Sequence, residues 1–295
     1  MALIPMREML FHAKQHAYAL GYFEAWDQYS LEGVLQAAES ERSPVVLGFG
    51  GMMMDRQWFD ERGLAGLAAM GRAVAETARV PVCYLLNEVP DIRHVRDGLN
   101  WGFNAVMLDT AGMPLEENIA AVKQVAEMAH AVGADAEGEC GDLPDASHGG
   151  ISWGSATRVE DAVRYVAETD VDALSVSVGN VHVLAEGAAC IDMDLLKRLC
   201  DAVRVPLVLH GGTGLDAGMI RAATAMGVAK VNVGTSLKAA YVRAARQAAN
   251  ALPERFDIQA VVGSRKPTDF LVAAREAVCK DVAQRMRELG SSNQA

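Results

Sequence analysis

The chain contains no Cys-x-x-Cys pair, no signal-peptide apolar core and no apolar run long enough to cross a bilayer. Its five cysteines (Cys83, Cys140, Cys190, Cys200 and Cys279) are scattered and odd in number. That pattern excludes a disulfide framework and suits reduced thiols in a cytoplasmic protein. Positive charge is also scarce. Lys and Arg number 27 against 38 Asp and Glu, a net charge of -11, which argues against a nucleic-acid partner and against an anionic membrane surface. No low-complexity linker is present. No G-x-G-x-x-G follows the first expected strand, which counts against a dinucleotide cofactor.

What is present fits a soluble globular protein. The 295 residues are 51% hydrophobic and 22% charged, enough to bury a large core. The patterning alternates throughout. Helical spacing over 5–16 precedes a strand over 18–23. A helix over 30–40, with Ser30 as its N-cap, leads to a strand over 43–49. A helix over 64–78 and a strand over 80–86 follow, the strand ending in Asn87 and Glu88. A helix over 92–102, a strand over 103–109, a long amphipathic helix over 113–133 and a polar strand over 134–140 come next. Residues 141–157 have no periodicity and read as a long loop, which in a compact domain is either functional or mobile. Beyond it lie a helix (158–170), a strand (171–179), a helix (193–203), a strand (205–210), a helix (215–226), a strand (229–234) and a helix from Thr235 or Ser236. A helical extension covers about 266–289. Eight strands each followed by a helix predict an α/β fold, a (β/α)8 TIM barrel forming a single domain over 1–295.

In such a barrel the carboxyl ends of the strands converge on one face. Here they carry Glu24, Asn87, Glu88, Asp109, Glu139, His182, His210 and Asn232. Histidines and carboxylates gathered on one face require a cation between them. His182, His210 and one carboxylate fit zinc or another first-row divalent metal, manganese or iron. The Gly-rich turn after His210 (Gly211, Gly212, Thr213, Gly214) and the segment Asn232 to Ser236 occupy the loops after strands seven and eight. These loops are a common phosphate site, and Thr213, Thr235 and Ser236 add hydroxyl donors.

These motifs resemble the class II, metal-dependent fructose- or tagatose-bisphosphate aldolase family. The most specific matches are PLVLHGGTG (206–214), KVNVGTSL (230–237) and VDALSVSVGNVH (171–182), with AVMLD (105–109) and AEGEC (136–140) also aligning. The resemblance implies a zinc-dependent lyase in which the metal, as a Lewis acid, stabilises an enediolate when a C–C bond breaks. It places His182 and His210 at two metal positions and Glu139 close to the metal. It places Gly211, Thr213, Asn232 and Thr235 around a dihydroxyacetone phosphate end. It also implies a homo-oligomer, a dimer or tetramer, acting on a sugar or sugar phosphate.

The departures are specific. Asn87 stands where the family has its proton-exchanging aspartate, and an amide cannot exchange a proton usefully near neutral pH. Glu88 stands where the family has a third metal histidine, giving a set of two histidines and one carboxylate. Val183 and Glu186 replace a glycine and a lysine, changes that weaken a phosphate pocket. The candidates for proton exchange are Glu24, Asp27, Asp109, Asp145 and His148, with Asp145 and His148 in the loop where the family keeps a catalytic acid. The reading is a divergent metal-dependent lyase. The alternatives are an isomerase or epimerase on the same barrel, or a non-catalytic metabolite-binding descendant.

Overall fold

The computed structural model describes residues 3–144, 154–182, 184 and 189–295. α1 (Met6–Gln15) leads into β1 (Leu20–Ala25), α2 (Gln28–Glu41) and β2 (Val45–Gly50). α3 (Arg56–Trp58) runs through a π-helical turn (Phe59–Gly63) into α4 (Leu64–Glu76). Then come β3 (Val82–Val89), α5 (Ile92–Asn100), β4 (Ala105–Leu108), α6 (Leu115–Ala131), β5 (Asp135–Cys140), α7 (Val159–Thr169), β6 (Ala173–Val176), α8 (Met193–Ala202), β7 (Leu207–Leu209), α9 (Ala217–Met226), β8 (Val228–Val233), α10 (Thr235–Asn250), α11 (Ile258–Val261) and α12 (Phe270–Leu289). The strands are parallel and close into a barrel in sequence order, with β8 returning to β1. This is the expected (β/α)8 barrel. The short α11 and the turn before α4 have no counterpart in the sequence reading.

α2 begins before Ser30. Its N-cap is Asp27, whose carboxylate accepts the Ser30 N–H at 2.7 Å, while the Ser30 hydroxyl accepts the Asp27 N–H at 3.0 Å. This reciprocal capping box puts Ser30 at the third helical position and starts the helix at Gln28. β3 likewise runs beyond Leu86 to Val89.

Side chains alternate across each strand, so every second residue faces the barrel interior. In the lower half these are apolar: Leu20, Val46, Cys83, Leu85 and Val208 pack with Met6, Met9, Leu10 and Ala13 of α1. α1 therefore plugs the amino-terminal end of the barrel. The opposite faces of the strands pack against the surrounding helices in a larger apolar layer. α12 lies against α2 so closely that a Cβ on Gly33 would come within 2.8 Å of the Arg275 carbonyl oxygen and 3.1 Å of the Val278 side chain. The last residues fasten there too: the Asn293 N–H donates to the Glu41 carbonyl and the Ala295 N–H to that of Arg42.

The plug carries a charged cluster. Asp135, fully buried at the start of β5, accepts the Arg7 N–H at 2.8 Å and lies 3.3 Å from the Arg7 guanidinium. Burial, reinforced by Asp172 nearby, pushes its carboxyl up to about 6 despite Arg7. The folded state thus holds a proton that the unfolded chain has released at about pH 4, so stability from this group is highest below pH 4 and falls as pH rises toward 6. Asp135→Asn should remove that slope. Subtracting the variant's urea-unfolding curve from the parent's should show a loss on the order of 2 kcal/mol across pH 4–6. A flat difference would remove Asp135 as its source.

Candidate active site

The site begins with an irregularity in β3. The register between β3 and β4 shifts between Leu86 and Val89. Glu88 at that point adopts φ +47°, the left-handed region that a glutamate seldom enters. In a regular strand Asn87 and Glu88 would face opposite sides. The bulge turns both toward the barrel mouth. The Asn87 amide donates to Glu88 Oε2 at 2.6 Å. Glu88 Oε1 is left facing two histidines, 3.4 Å from His182 Nε2 and 3.3 Å from His210 Nδ1.

The histidines are tied together from behind. Asn180, fully buried after β6, donates to the carbonyl oxygens of His210 (3.1 Å) and Val176 (3.3 Å). His210 is fully buried, and its Nε2 lies 2.9 Å from Glu137 Oε1. With Nε2 as the donor to Glu137, the proton-free Nδ1 faces Glu88. Such an outer carboxylate fixes the tautomer and orientation of a metal-ligating histidine. Glu137 is itself neutralised by Lys230, whose Nζ lies 2.7 Å from Glu137 Oε2 and 2.7 Å from Asn232 Oδ1, all within the barrel interior. Glu137 and Lys230 were absent from the sequence reading. The signal for them was the period of two: Glu137 shares its face with Glu139, and Lys230 with Asn232.

Glu88, His182 and His210 each offer one ligand atom, and these atoms lie within 4.8 Å of one another. In a tetrahedral zinc site with bonds of ~2.0–2.1 Å, neighbouring donor atoms stand about 3.3 Å apart. The two spacings to Glu88 Oε1 match, so the donor set fits a divalent metal. The electrostatics agree. Burial works against a charged His210, yet Glu88 and Glu137 outweigh it and push its pKa up to about 10. Burial likewise opposes ionised Glu88, but His182, His210 and Lys230 hold its carboxyl down at about 2. These carboxylates demand a cation, which a divalent metal held by Glu88, His182 and His210 would supply.

The other sequence-named residues take distinct places. Glu139 Oε2 stands 3.8 Å from His210 Nδ1 and accepts from Ser175 at 3.3 Å. Burial, with Glu88 and Asp109 adding, pushes its pKa up to about 7 against the pull of His210. Asp109 accepts the Ala111 N–H at 3.0 Å, and its pKa is raised, chiefly by burial. Asp27 is committed to capping α2 and to the Tyr241 hydroxyl, 2.7 Å away. Glu24 pairs with Lys238 at 2.8 Å. Asp145, His148, Val183 and Glu186 lie outside the described residues.

Beside the three ligating side chains opens a cavity of about 150 Å³, lined in part by Tyr22, Asn87, Gly211, Thr213, Asn232 and Thr235. Gly211 adopts φ +69°, and a Cβ there would stand 2.1 Å from the Val181 carbonyl oxygen, so no other residue fits the turn. Ser236 donates its N–H to Thr213 Oγ1 at 3.2 Å, linking the two loops. Several polar atoms in this region are buried without a hydrogen-bond partner: the Tyr22 hydroxyl, Asn87 Oδ1, Asn232 Nδ2 and Ser236 Oγ. Tyr22 too was missed by sequence reasoning. Its burial keeps it protonated, its pKa pushed far above the usual phenol range.

Two histidines and a carboxylate at the carboxyl mouth of a parallel barrel form a candidate metal site on the face where enzymes of this fold carry their active sites. The model of the fructose-bisphosphate aldolase class-II family matches residues 4–294, and the chain belongs to that family of lyases. It is 33% identical over 304 residues to the "Probable fructose-bisphosphate aldolase" of Bacillus subtilis strain 168, covering all of both chains. It is 33% identical over 303 residues to the "6-phospho-5-dehydro-2-deoxy-D-gluconate aldolase" of the same strain, covering all of this chain and 98% of the relative. The X-ray crystal structure of the YdjI aldolase from Escherichia coli K12 superposes with a TM-score of 0.82 at 27% identity, covering all of both chains. None of the helices in the described residues is long and apolar enough to cross a membrane.

Proposed function

We propose that the protein catalyses aldol and retro-aldol cleavage of a ketose, or of a related sugar-derived substrate, with a divalent metal held by Glu88, His182 and His210. Zinc is the metal the donor set suits first, with manganese and iron next. The observation that supports this reading is the convergence of Glu88 Oε1, His182 Nε2 and His210 Nδ1 at the edge of a polar cavity. When bound, the metal supplies Lewis-acid stabilisation of negative charge on substrate oxygen.

The protein's own groups divide the remaining work. Asn87 positions Glu88 and takes no part in proton exchange, since its amide does not titrate near neutrality. The protonated Tyr22 hydroxyl, unpartnered at the cavity wall, donates a hydrogen bond to a substrate oxygen. Glu139, whose Oε2 lies 3.8 Å from His210 Nδ1 and whose carboxyl burial favours in the protonated form, is the carboxyl we assign to proton exchange, with Asp109 the next carboxyl along. Asn232 Nδ2, Thr213, Thr235 and the Gly211 turn bind substrate hydroxyls, with Ser236 supporting the Thr213 loop. The barrel and its helical extension work as one unit. A homo-oligomer accords with α10, which buries only Leu237, and with exposed Val242, Phe256, Ile258 and Val262.

The test is a screen of the zinc-loaded protein against phosphorylated and free ketoses, followed by carbon NMR. A lyase yields two products from one ketose. One product of unchanged mass would establish an isomerase or epimerase instead, the reading that Asn87 at the aspartate position favours. Neither outcome, with no metal retained, would sink the catalytic reading.

A further inference from the structure

Glu24 ends β1 at the wall of the cavity, and its carboxylate is wedged between two strand ends. A Cβ on Gly234 would come within 2.3 Å of Glu24 Oε2, and one on Gly50 within 3.0 Å of Oε1. Lys238, in the first turns of α10, closes over the carboxylate with Nζ 2.8 Å from Oε1. The ammonium also lies 5.8 Å from the centre of the Trp26 ring. Trp26 in turn meets Tyr241 edge-on at 5.3 Å, and Tyr241 donates to Asp27 at 2.7 Å. The pair is therefore held in place from both sides.

Lys238 is the sole lysine or arginine among the described residues lining the cavity. The segments outside the description cannot supply another. Residues 145–153 read DASHGGISW, residue 183 is valine, and 185–188 read AEGA. A phosphate dianion at the start of α10 would meet hydroxyls and amides there. It would also meet the Glu24 carboxylate, whose like charge stands against Gly234 at the start of that helix.

We infer, resting on the lyase reading above, that Glu24 is a specificity-determining residue: its ion pair with Lys238 cancels the cavity's fixed cation, so the substrate end beside α10 is an uncharged, hydroxyl-bearing group and not a phosphate. Thr213, Thr235 and the free Asn232 Nδ2 match sugar hydroxyls, which both donate and accept. The carboxylate keeps Lys238 from binding anions while leaving it a hydrogen-bond donor.

The experiment is calorimetric titration of inorganic phosphate into four zinc-loaded proteins: the parent, Glu24→Gln, Glu24→Ser and the double variant Glu24→Gln/Lys238→Met. Phosphate taken up by the metal is common to all four and cancels. Either Glu24 variant should bind phosphate at least tenfold more tightly than the parent, and the double variant should lose that gain. Parent binding as tight as that of both single variants, or a gain that survives loss of Lys238, overturns the inference. Because the readout needs no turnover, failure of the parent to cleave any ketose would remove the lyase reading and leave this comparison intact. In parallel, phosphorylated ketoses should gain kcat/KM relative to free ketoses in Glu24→Gln.

Discussion

Lys230→Met should lower the unfolding free energy by about 3–5 kcal/mol, the range seen when one partner of a buried ion pair is removed. Lys230 is fully inaccessible, as are Glu137 and His210. Its ammonium satisfies Glu137 Oε2 and Asn232 Oδ1 and lies 5.4 Å from the centre of the Tyr22 ring. Methionine fills most of the volume, so the loss is electrostatic rather than a packing void. Glu137 would remain buried with His210 as its sole charged partner. The cost should shrink when Glu137 is changed as well. Lys230→Met/Glu137→Gln keeps an acceptor for His210 and removes the orphaned charge, so it should recover at least half of the loss. Urea unfolding of the three proteins decides the matter. A loss below about 1 kcal/mol for the single variant would mean that water reaches Glu137 and screens it.

The second large effect concerns metal affinity. Glu88→Ala should weaken zinc binding by more than a hundredfold, since it deletes the carboxylate shared by both histidines. Asn87→Ala leaves the ligands in place and removes only the amide that holds Glu88 Oε2. Its loss should fall in the 10–100-fold range of outer supporting groups. Competition with a chromophoric chelator measures both. Equal losses would mean that Asn87 is itself a ligand. No loss in Glu88→Ala would remove Glu88 from the set. Glu88→Gly adds a control on the backbone. Glycine occupies φ +47° without strain, so this variant should unfold at higher urea than Glu88→Ala while binding zinc equally poorly.

The barrel was legible because its strands and helices differ in period, and alternation along eight units leaves few other topologies. His182, His210 and Glu88 were legible as strand-end residues. How Glu88 reaches the histidines was not, because a bulge is a departure from strand periodicity and Asn87–Glu88 read simply as the end of a strand. Glu137 and Lys230 stayed hidden for another reason. A buried ion pair joins β5 to β8 across the barrel, and no local spacing records a contact between residues so far apart. Ser30 looked like a helix cap because serine commonly is one, yet Asp27 holds that position and Ser30 returns the hydrogen bond. Tyr22 lies in an apolar run where a tyrosine looks like core, and only its unpartnered hydroxyl distinguishes it.

The C-terminal helix lies against α2 and the final residues bond to Glu41 and Arg42, so the chain's last segment rests on its first βα unit. This has a consequence for synthesis. A chain leaving the ribosome can pair β1 through β7 in order, but that sheet has two raw edges, each a template for another chain. They vanish only when β8 joins β1. α12 emerges after that and lies across the joined units. Truncation ahead of Phe270 would therefore leave the β8–β1 seam without the helix that lies across the joined units, and each reopening of that seam would expose both edges again.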